Sequence, residues 1–203
     1  MVVGATREAT VGLGCFWAPS EELLGVDGVV DTVCGYAGAA FPEARPSYDS
    51  VCGGDGNAEA VRVSYDDEKL TYEDVLDAAF AASKPVLGSR QYAPLIFARD
   101  AAEAERAANW VAVGGRRDDG LERRHFAVET TSTFWIAEEY HQRYWQKWRP
   151  RFASLFGLIL LQWADSKVAF LPEAADVACT GVAFAIGAAF VLERVLDAEV
   201  AAG

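Results

Sequence analysis

The chain has 203 residues, 52% of them apolar, with 30 acidic residues against 18 basic ones and a formal net charge of −12. That length and apolar content suffice for one well-buried core and exclude extensive disorder. The acidic balance excludes nucleic-acid binding through a basic patch. Four cysteines with no CxxC spacing, and two histidines, argue against a structural zinc site, and neither a metal nor a bound organic cofactor is expected.

The first predicted element is a β-branched-rich strand over Ala9 to Leu13. Gly12 and Gly14 interrupt it, Cys15-Phe16-Trp17 follow, and Pro19-Ser20-Glu21-Glu22-Leu23-Leu24 reads as a helix start. Cys15 therefore falls at a strand-to-helix turn, where the helix N-terminus favours thiolate and is expected to lower the sulfur pKa. Phe16 and Trp17 set flat apolar walls beside it, suited to a small methyl-bearing group. The same residues also fit a packed core cysteine with aromatic neighbours.

A second strand is predicted from Val26 to Tyr36, then a loop from Ala39 to Asp55 marked by Pro42, Pro46, Gly53 and Gly54 and carrying Tyr48 and Cys52. Ala58 to Tyr65 alternates at period two, a strand that includes Glu59. Thr71 caps a helix, with Asp74 three residues on, and Val75, Leu76, Ala79 and Phe80 form its apolar face. Further on, Arg90 to Phe97 reads as a strand with Tyr92 near its start, Asp100 to Val113 as an amphipathic helix, and His125 to Glu129 as a short strand. Ala137 to Trp148 reads as a helix ended by Pro150. On this pattern residues 5–150 form one α+β domain.

Residues 151–203 differ. Phe152 to Trp163 is strongly apolar, and Val177 to Leu192 has sixteen residues without a charge. A membrane span needs about 20, so no membrane association is expected. The segment reads as an apolar, helical C-terminal extension packed on the domain or on a partner, a second copy of the chain included. Met1 to Glu8 lacks a basic region followed by an apolar core, so no signal peptide is expected and the thiols are assigned to a reducing cytoplasm.

Six ordered segments resemble the A-type peptide methionine sulfoxide reductases. Gly14-Cys15-Phe16-Trp17 is similar to the signature Gly-Cys-Phe-Trp-Gly, and Gly25-Val26-Asp27-Gly28-Val29-Val30 with Gly35-Tyr36-Ala37-Gly38 to the segment after it. Pro46-Ser47-Tyr48 and Val51-Cys52-Gly53-Gly54 resemble the next loop. Asn57-Ala58-Glu59-Ala60-Val61 resembles His-Ala-Glu-Ala-Val, Arg90-Gln91-Tyr92 resembles Thr-Gln-Tyr, and Ala137-Glu138-Glu139-Tyr140-His141-Gln142 resembles the late Ala-Glu-Asp-Tyr-His-Gln run.

The resemblance implies a ferredoxin-like two-layer sandwich, a mixed sheet with helices packed on it, and thiol-dependent reduction of methionine S-sulfoxide, free or in peptides. It implies that Cys15 attacks the sulfoxide sulfur, that Phe16 and Trp17 hold the methyl group, and that Glu59 protonates the oxygen while Tyr48 and Tyr92 donate hydrogen bonds to it. A thioredoxin-like protein or another dithiol is the implied reductant. Cys52 and Cys179 are the candidate resolving cysteines, direct attack of an external thiol on the sulfenic acid is equally open, and Cys34 reads as packed.

On the residues alone, Glu59 also fits a solvated face, and Tyr48 and Tyr92 fit core tyrosines. His141 and Gln142 fit a helix surface or a clamp on the active-site loop. The chain departs from the family pattern in lacking an Asp-x-Gly segment before Gln91-Tyr92, in Asn57 and Ala18, and in its C-terminal tail. A catalytically impaired relative that binds methionine sulfoxide or a partner protein, and a thiol peroxidase-type enzyme using Cys15, are the alternative readings.

Overall fold

The computed structural model describes residues 5–39, 45–130, 133–168 and 173–202. The loop reading at residues 40–44, Pro42 included, lies outside them, as do the first four residues. The chain divides into two compact units, residues 1–142 and 143–203.

In the first unit the elements run β1 (Thr6–Leu13), α1 (Trp17–Leu24), β2 (Val29–Ala37), α2 (Tyr48–Cys52), β3 (Ala58–Asp66), α3 (Tyr72–Ala82), β4 (Pro94–Ala98), α4 (Ala101–Val113), β5 (Ala127–Thr130) and β6 (Phe134–Ile136). The strands form one six-stranded sheet in the order β5-β4-β1-β3-β2-β6. Only the β4/β5 pair is parallel. The central β4-β1-β3-β2 arrangement, with α1 after β1 and α3 after β3, is the ferredoxin-like sandwich, to which β5 and β6 add the two edges.

Period two decides which residues face the helices. Ala9, Val11 and Leu13 of β1, Val61, Val63 and Tyr65 of β3, and Ile96 of β4 enter the main core beneath α1, α3 and α4. The other face carries a small cluster of Ala37, Ala58, Ala60, Leu95 and Phe97, with Phe134 against it. Glu59 shares its parity with Val61, so it points into the helix-covered layer and is 1% exposed rather than solvated.

The cap on α3 forms as read. Thr71 Oγ1 accepts from Asp74 N at 3.1 Å, and the Asp74 carboxylate accepts from Thr71 N at 2.9 Å.

Four local readings change. The loop after residue 45 contains a one-turn helix, α2, because Ser47 and Ser50 cap it reciprocally. Tyr92 lies in a turn before β4, whose pairing with β1 begins only at Pro94. His125 sits in a 3-10 turn, Arg123–His125, ahead of β5. Residues 137–148 are not one helix: Glu139–His141 is a 3-10 turn, Arg143 takes a left-handed φ of 53°, and only then does α5 (Tyr144–Val168) begin.

Pro150 lies inside α5 and does not end it. It costs one backbone bond, to the carbonyl four residues earlier, and the Leu- and Ala-rich run beyond it continues the helix. The second unit consists of α5 and α6 (Glu173–Ala202). In the uncharged run 177–192, Val177, Val182 and Phe184 are exposed.

Candidate active site

β1 delivers Cys15 to the surface by a turn that only glycine permits. Gly14 has a φ of +86°, and a Cβ there would lie 2.1 Å from the Lys84 carbonyl oxygen. Lys84 N donates to Leu13 O at 2.8 Å, clamping the turn from the far side. Cys15 is exposed, Phe16 is buried as the N-cap residue of α1, and Trp17 opens the helix half-buried.

Glu59 sits beneath this turn. Its Oε2 accepts from the Phe16 amide at 3.1 Å and its Oε1 from Gln91 Nε2 at 2.9 Å. Burial pushes its carboxyl up to about 6 despite the two donated hydrogen bonds, which favour the ionised form. Such a carboxyl can both hold and release a proton near neutrality.

The Cys15 thiol departs from expectation. Desolvation is the largest influence and raises its pKa, the backbone amide of Trp17 lowers it, and the charge of Glu59 raises it. The helix terminus does act in the expected direction. It is outweighed by the protein packed around the sulfur and by the nearby carboxylate.

Tyr48, the first residue of α2, and Tyr92, in the turn before β4, meet here closely enough for each to influence the other's hydroxyl. Burial is the first cause raising both phenols, followed by the mutual charge of Tyr92 on Tyr48 and of Glu59 on Tyr92. Both therefore stay protonated and able to donate. Cys52 lies close enough to raise the Tyr48 hydroxyl further, and Gln91 Nε2 donates to Cys52 Sγ at 3.4 Å. Tyr92 feels the charge of both Cys15 and Cys52.

The structure thus brings together Cys15, Phe16, Trp17, Tyr48, Cys52, Glu59 and Tyr92. Cys179 belongs to α6 in the second unit. Cys34 is buried in β2, with its Sγ 3.8 Å from the Phe16 carbonyl oxygen. All four cysteines are thiols.

Behind the site, residues 137–142 form a clamp rather than a helix surface. Trp17 Nε1 donates to His141 Nδ1 at 2.9 Å, and the buried imidazole lies 5.0 Å from the Phe16 ring and 4.8 Å from the Tyr48 ring between centroids. Glu138 accepts from the Tyr36 hydroxyl at 2.7 Å and from Tyr48 N at 2.8 Å. Gln142 pairs with both backbone groups of Cys34, accepting at 3.0 Å and donating at 2.9 Å, as a neighbouring strand would.

Gln91, Glu138 and Arg90 are residues that reading for reactive groups passes over. Arg90 forks onto Glu129, donates to Gly56 O at 2.7 Å and to Gly38 O at 2.9 Å, and so ties three segments to the Gln91-Tyr92 turn. The signal available for Gln91 was its place beside Tyr92. Arg90 and Glu138 stood in the resembling segments without an assigned role. Among the described residues no group of three or more His, Cys, Asp or Glu could hold a metal ion.

The family model described as peptide methionine sulfoxide reductase matches residues 7–155. Among curated relatives, the peptide methionine sulfoxide reductase MsrA of Erwinia tasmaniensis is 35% identical over 149 residues, covering 70% of this chain and 82% of that protein. The MsrA of Methanoculleus marisnigri is 38% identical over 152 residues, covering 70% and 90%.

Among solved structures, Mxr1 from Saccharomyces cerevisiae in reduced form superposes with a TM-score of 0.53 at 25% identity, covering 70% of this chain and 85% of that one. The methionine sulfoxide reductase A of Corynebacterium diphtheriae, at 24% identity and a TM-score of 0.55, shares the fold over 70% of this chain and 74% of its own. With the signature turn, the buried acid and the sandwich in agreement with these matches, the chain belongs to the peptide methionine sulfoxide reductase family.

Proposed function

We propose that this chain reduces methionine S-sulfoxide through Cys15, with Glu59 as the proton donor and Tyr48 and Tyr92 as oxygen-binding hydroxyls. The family's activity makes it an oxidoreductase, a peptide-methionine (S)-S-oxide reductase, and leaves the impaired-binder and peroxidase readings without support. The observation that carries the assignment of roles is Glu59. It is a buried carboxyl at about pKa 6, bonded to the backbone amide that follows Cys15.

The substrate's methyl group lies against Phe16 and Trp17, and its oxygen points toward Glu59 and the two tyrosines. The Cys15 thiolate attacks the sulfoxide sulfur and forms a sulfur–sulfur bond, while Glu59 supplies a proton to the oxygen as negative charge develops there. The hydroxyl then passes to the Cys15 sulfur as the sulfur–oxygen and sulfur–sulfur bonds of the adduct break, releasing methionine and leaving a sulfenic acid. Substrate binding expels water around Glu59 and favours its protonated form. That proton also removes one of the influences that raise the Cys15 pKa, the lesser one beside desolvation.

Cys52 resolves the sulfenic acid, forming a disulfide and releasing water. Its bond to Gln91, which also holds Glu59, and its place beside Tyr48 favour it over Cys179. A thioredoxin-like protein or another dithiol then restores both thiols, in the cytoplasm.

The test is a single turnover of reduced protein with racemic methionine sulfoxide and no added reductant. The expected result is one methionine per chain, consumption of the S epimer alone and loss of two thiols, with one thiol lost in Cys52→Ser. Folded, reduced protein that yields no methionine overturns the assignment. Loss of two thiols in Cys52→Ser but one in Cys179→Ser transfers the resolving role.

A further inference from the structure

Glu59 and Gln91 are fixed to each other twice. Glu59 N donates to the Gln91 carbonyl oxygen at 2.9 Å, and Gln91 Nε2 donates to Glu59 Oε1 at 2.9 Å. The same Nε2 donates to Cys52 Sγ at 3.4 Å. A side-chain amide nitrogen carries two N–H groups, so Gln91 spends one on the acid and one on the sulfur. Glu59 Oε1 and Cys52 Sγ are thereby held within two hydrogen-bond lengths of each other.

The two ends of that amide match in shape and differ in chemistry: the NH2 only donates and the oxygen only accepts. An ionised carboxylate only accepts, so it draws the NH2 end toward itself. A protonated carboxyl has an O–H to offer and makes no such demand. Glu59 Oε2 is bonded to the Phe16 amide at 3.1 Å, a main-chain donor whose direction is set by helix α1. The protonation state of Glu59 is therefore felt at Oε1, by Gln91, and through Gln91 by Cys52.

We propose, on the reading of Glu59 and Cys52 given above, that Gln91 is a positioning residue that orders the two half-reactions, methionine release first and closure of the Cys15–Cys52 disulfide second. Once Glu59 has passed its proton to the sulfoxide oxygen, its carboxylate fixes one Gln91 N–H on itself and the other on Cys52 Sγ. That second N–H steadies a sulfur that otherwise stands exposed at the end of a one-turn helix. The Cys52 sulfur then bonds to the Cys15 sulfur and the sulfenic sulfur–oxygen bond breaks. The proton released by Cys52 leaves with the hydroxyl as water. Cys52 is oxidised and the sulfenic sulfur is reduced, with no outside reagent. Before the proton transfer the amide is not held in this way, and Cys52 is not presented while substrate still occupies Cys15.

The experiment is a single turnover of the full, reduced chain with methionine S-sulfoxide, sampled over time. Methionine is followed by chromatography, the Cys15 sulfenic acid by dimedone labelling, and the disulfide by peptide mass mapping. Gln91→Met keeps the side-chain length and the main-chain bond to Glu59 but has no side-chain N–H. It is expected to release one methionine per chain and, relative to that release, to close the disulfide on the order of tenfold more slowly than wild type, so that the dimedone adduct accumulates. Gln91→Glu, with an oxygen in place of the nitrogen, is expected to accumulate it likewise. Burial raises the Glu59 pKa and the Gln91 bond lowers it in part, so in both variants the fall in methionine release at low pH begins at a higher pH than in wild type. A wild-type ratio of the two steps in both variants overturns the proposal. Equal slowing of both steps with an unchanged pH profile also overturns it, in favour of a displaced turn. Folded wild type that releases no methionine, or Cys52→Ser that still loses two thiols, overturns the reading of the site and the proposal with it.

Discussion

Glu59 is where burial and chemistry oppose each other. Its folded pKa is raised from 4.5 to about 6, with desolvation as the first cause. The sign follows directly: its contribution to stability is fully present below pH 4.5 and is lost as pH rises through about 6. That shift corresponds to about 2 kcal/mol. Glu59→Gln removes the penalty but keeps only part of the hydrogen bonding, so it is expected to gain about 1 kcal/mol at pH 7.5, a rise in Tm of roughly 2–4 °C. The two melting temperatures should cross as pH falls below about 6, leaving the variant the less stable protein near pH 4.5, where only its lost hydrogen bonding remains.

Turnover moves the other way. The active form needs Glu59 protonated and Cys15 ionised, so wild-type kcat/KM falls below about pH 6 and again above the raised Cys15 pKa, with a plateau between. Glu59→Gln should lose roughly 10²–10⁴ in rate together with the Glu59-dependent change near pH 6.

Arg90 contributes by placement. Arg90→Ala frees the turn that carries Gln91 and Tyr92 from Gly38, Gly56 and Glu129. A displacement of about 1 Å there is expected to cost on the order of 10² in kcat, with KM changed less. Arg90→Lys keeps the charge without the fork and is expected to recover only part of the loss. Equal kinetics for both variants and wild type would refute the role.

At the scale of elements, the regular pieces follow from local chemistry. Thr71 and Asp74 announced the start of α3, and replacing Thr71 with Ala should cost about 1 kcal/mol in chemical denaturation without altering turnover. β1 was legible from its β-branched run and β3 from alternation, and parity alone would have placed Glu59 with Val61 inside the layer. What alternation could not show was the clamp at residues 137–142. Tyr140 and Tyr144 stand four apart and mimic a helical face, but Gln142 spends its side chain on the backbone of Cys34, more than a hundred residues earlier. Long-range side-chain-to-backbone bonds of this kind leave no periodic trace. The Cys15 site was legible as a turn and an order of residues. The direction of its pKa was not, because packing around the sulfur is set by tertiary neighbours.

Across the whole molecule, charge is lopsided. A net charge of −12 makes the folded chain repel itself, and the exposed ion pairs, such as Arg7–Asp67 and Lys69–Asp27, offset little of it. Raising ionic strength from low to moderate should therefore increase Tm by a few degrees, as self-repulsion is screened more than favourable pairs are weakened.

The bond from Trp17 to His141 joins residues 124 positions apart. A ribosome adding about 5–20 residues per second needs roughly 6–25 s to travel between them. Through that interval Cys15 has been made and the clamp behind its neighbour has not. A newborn chain thus carries an ordinary thiol at first and acquires a specialised one only once His141 has been made.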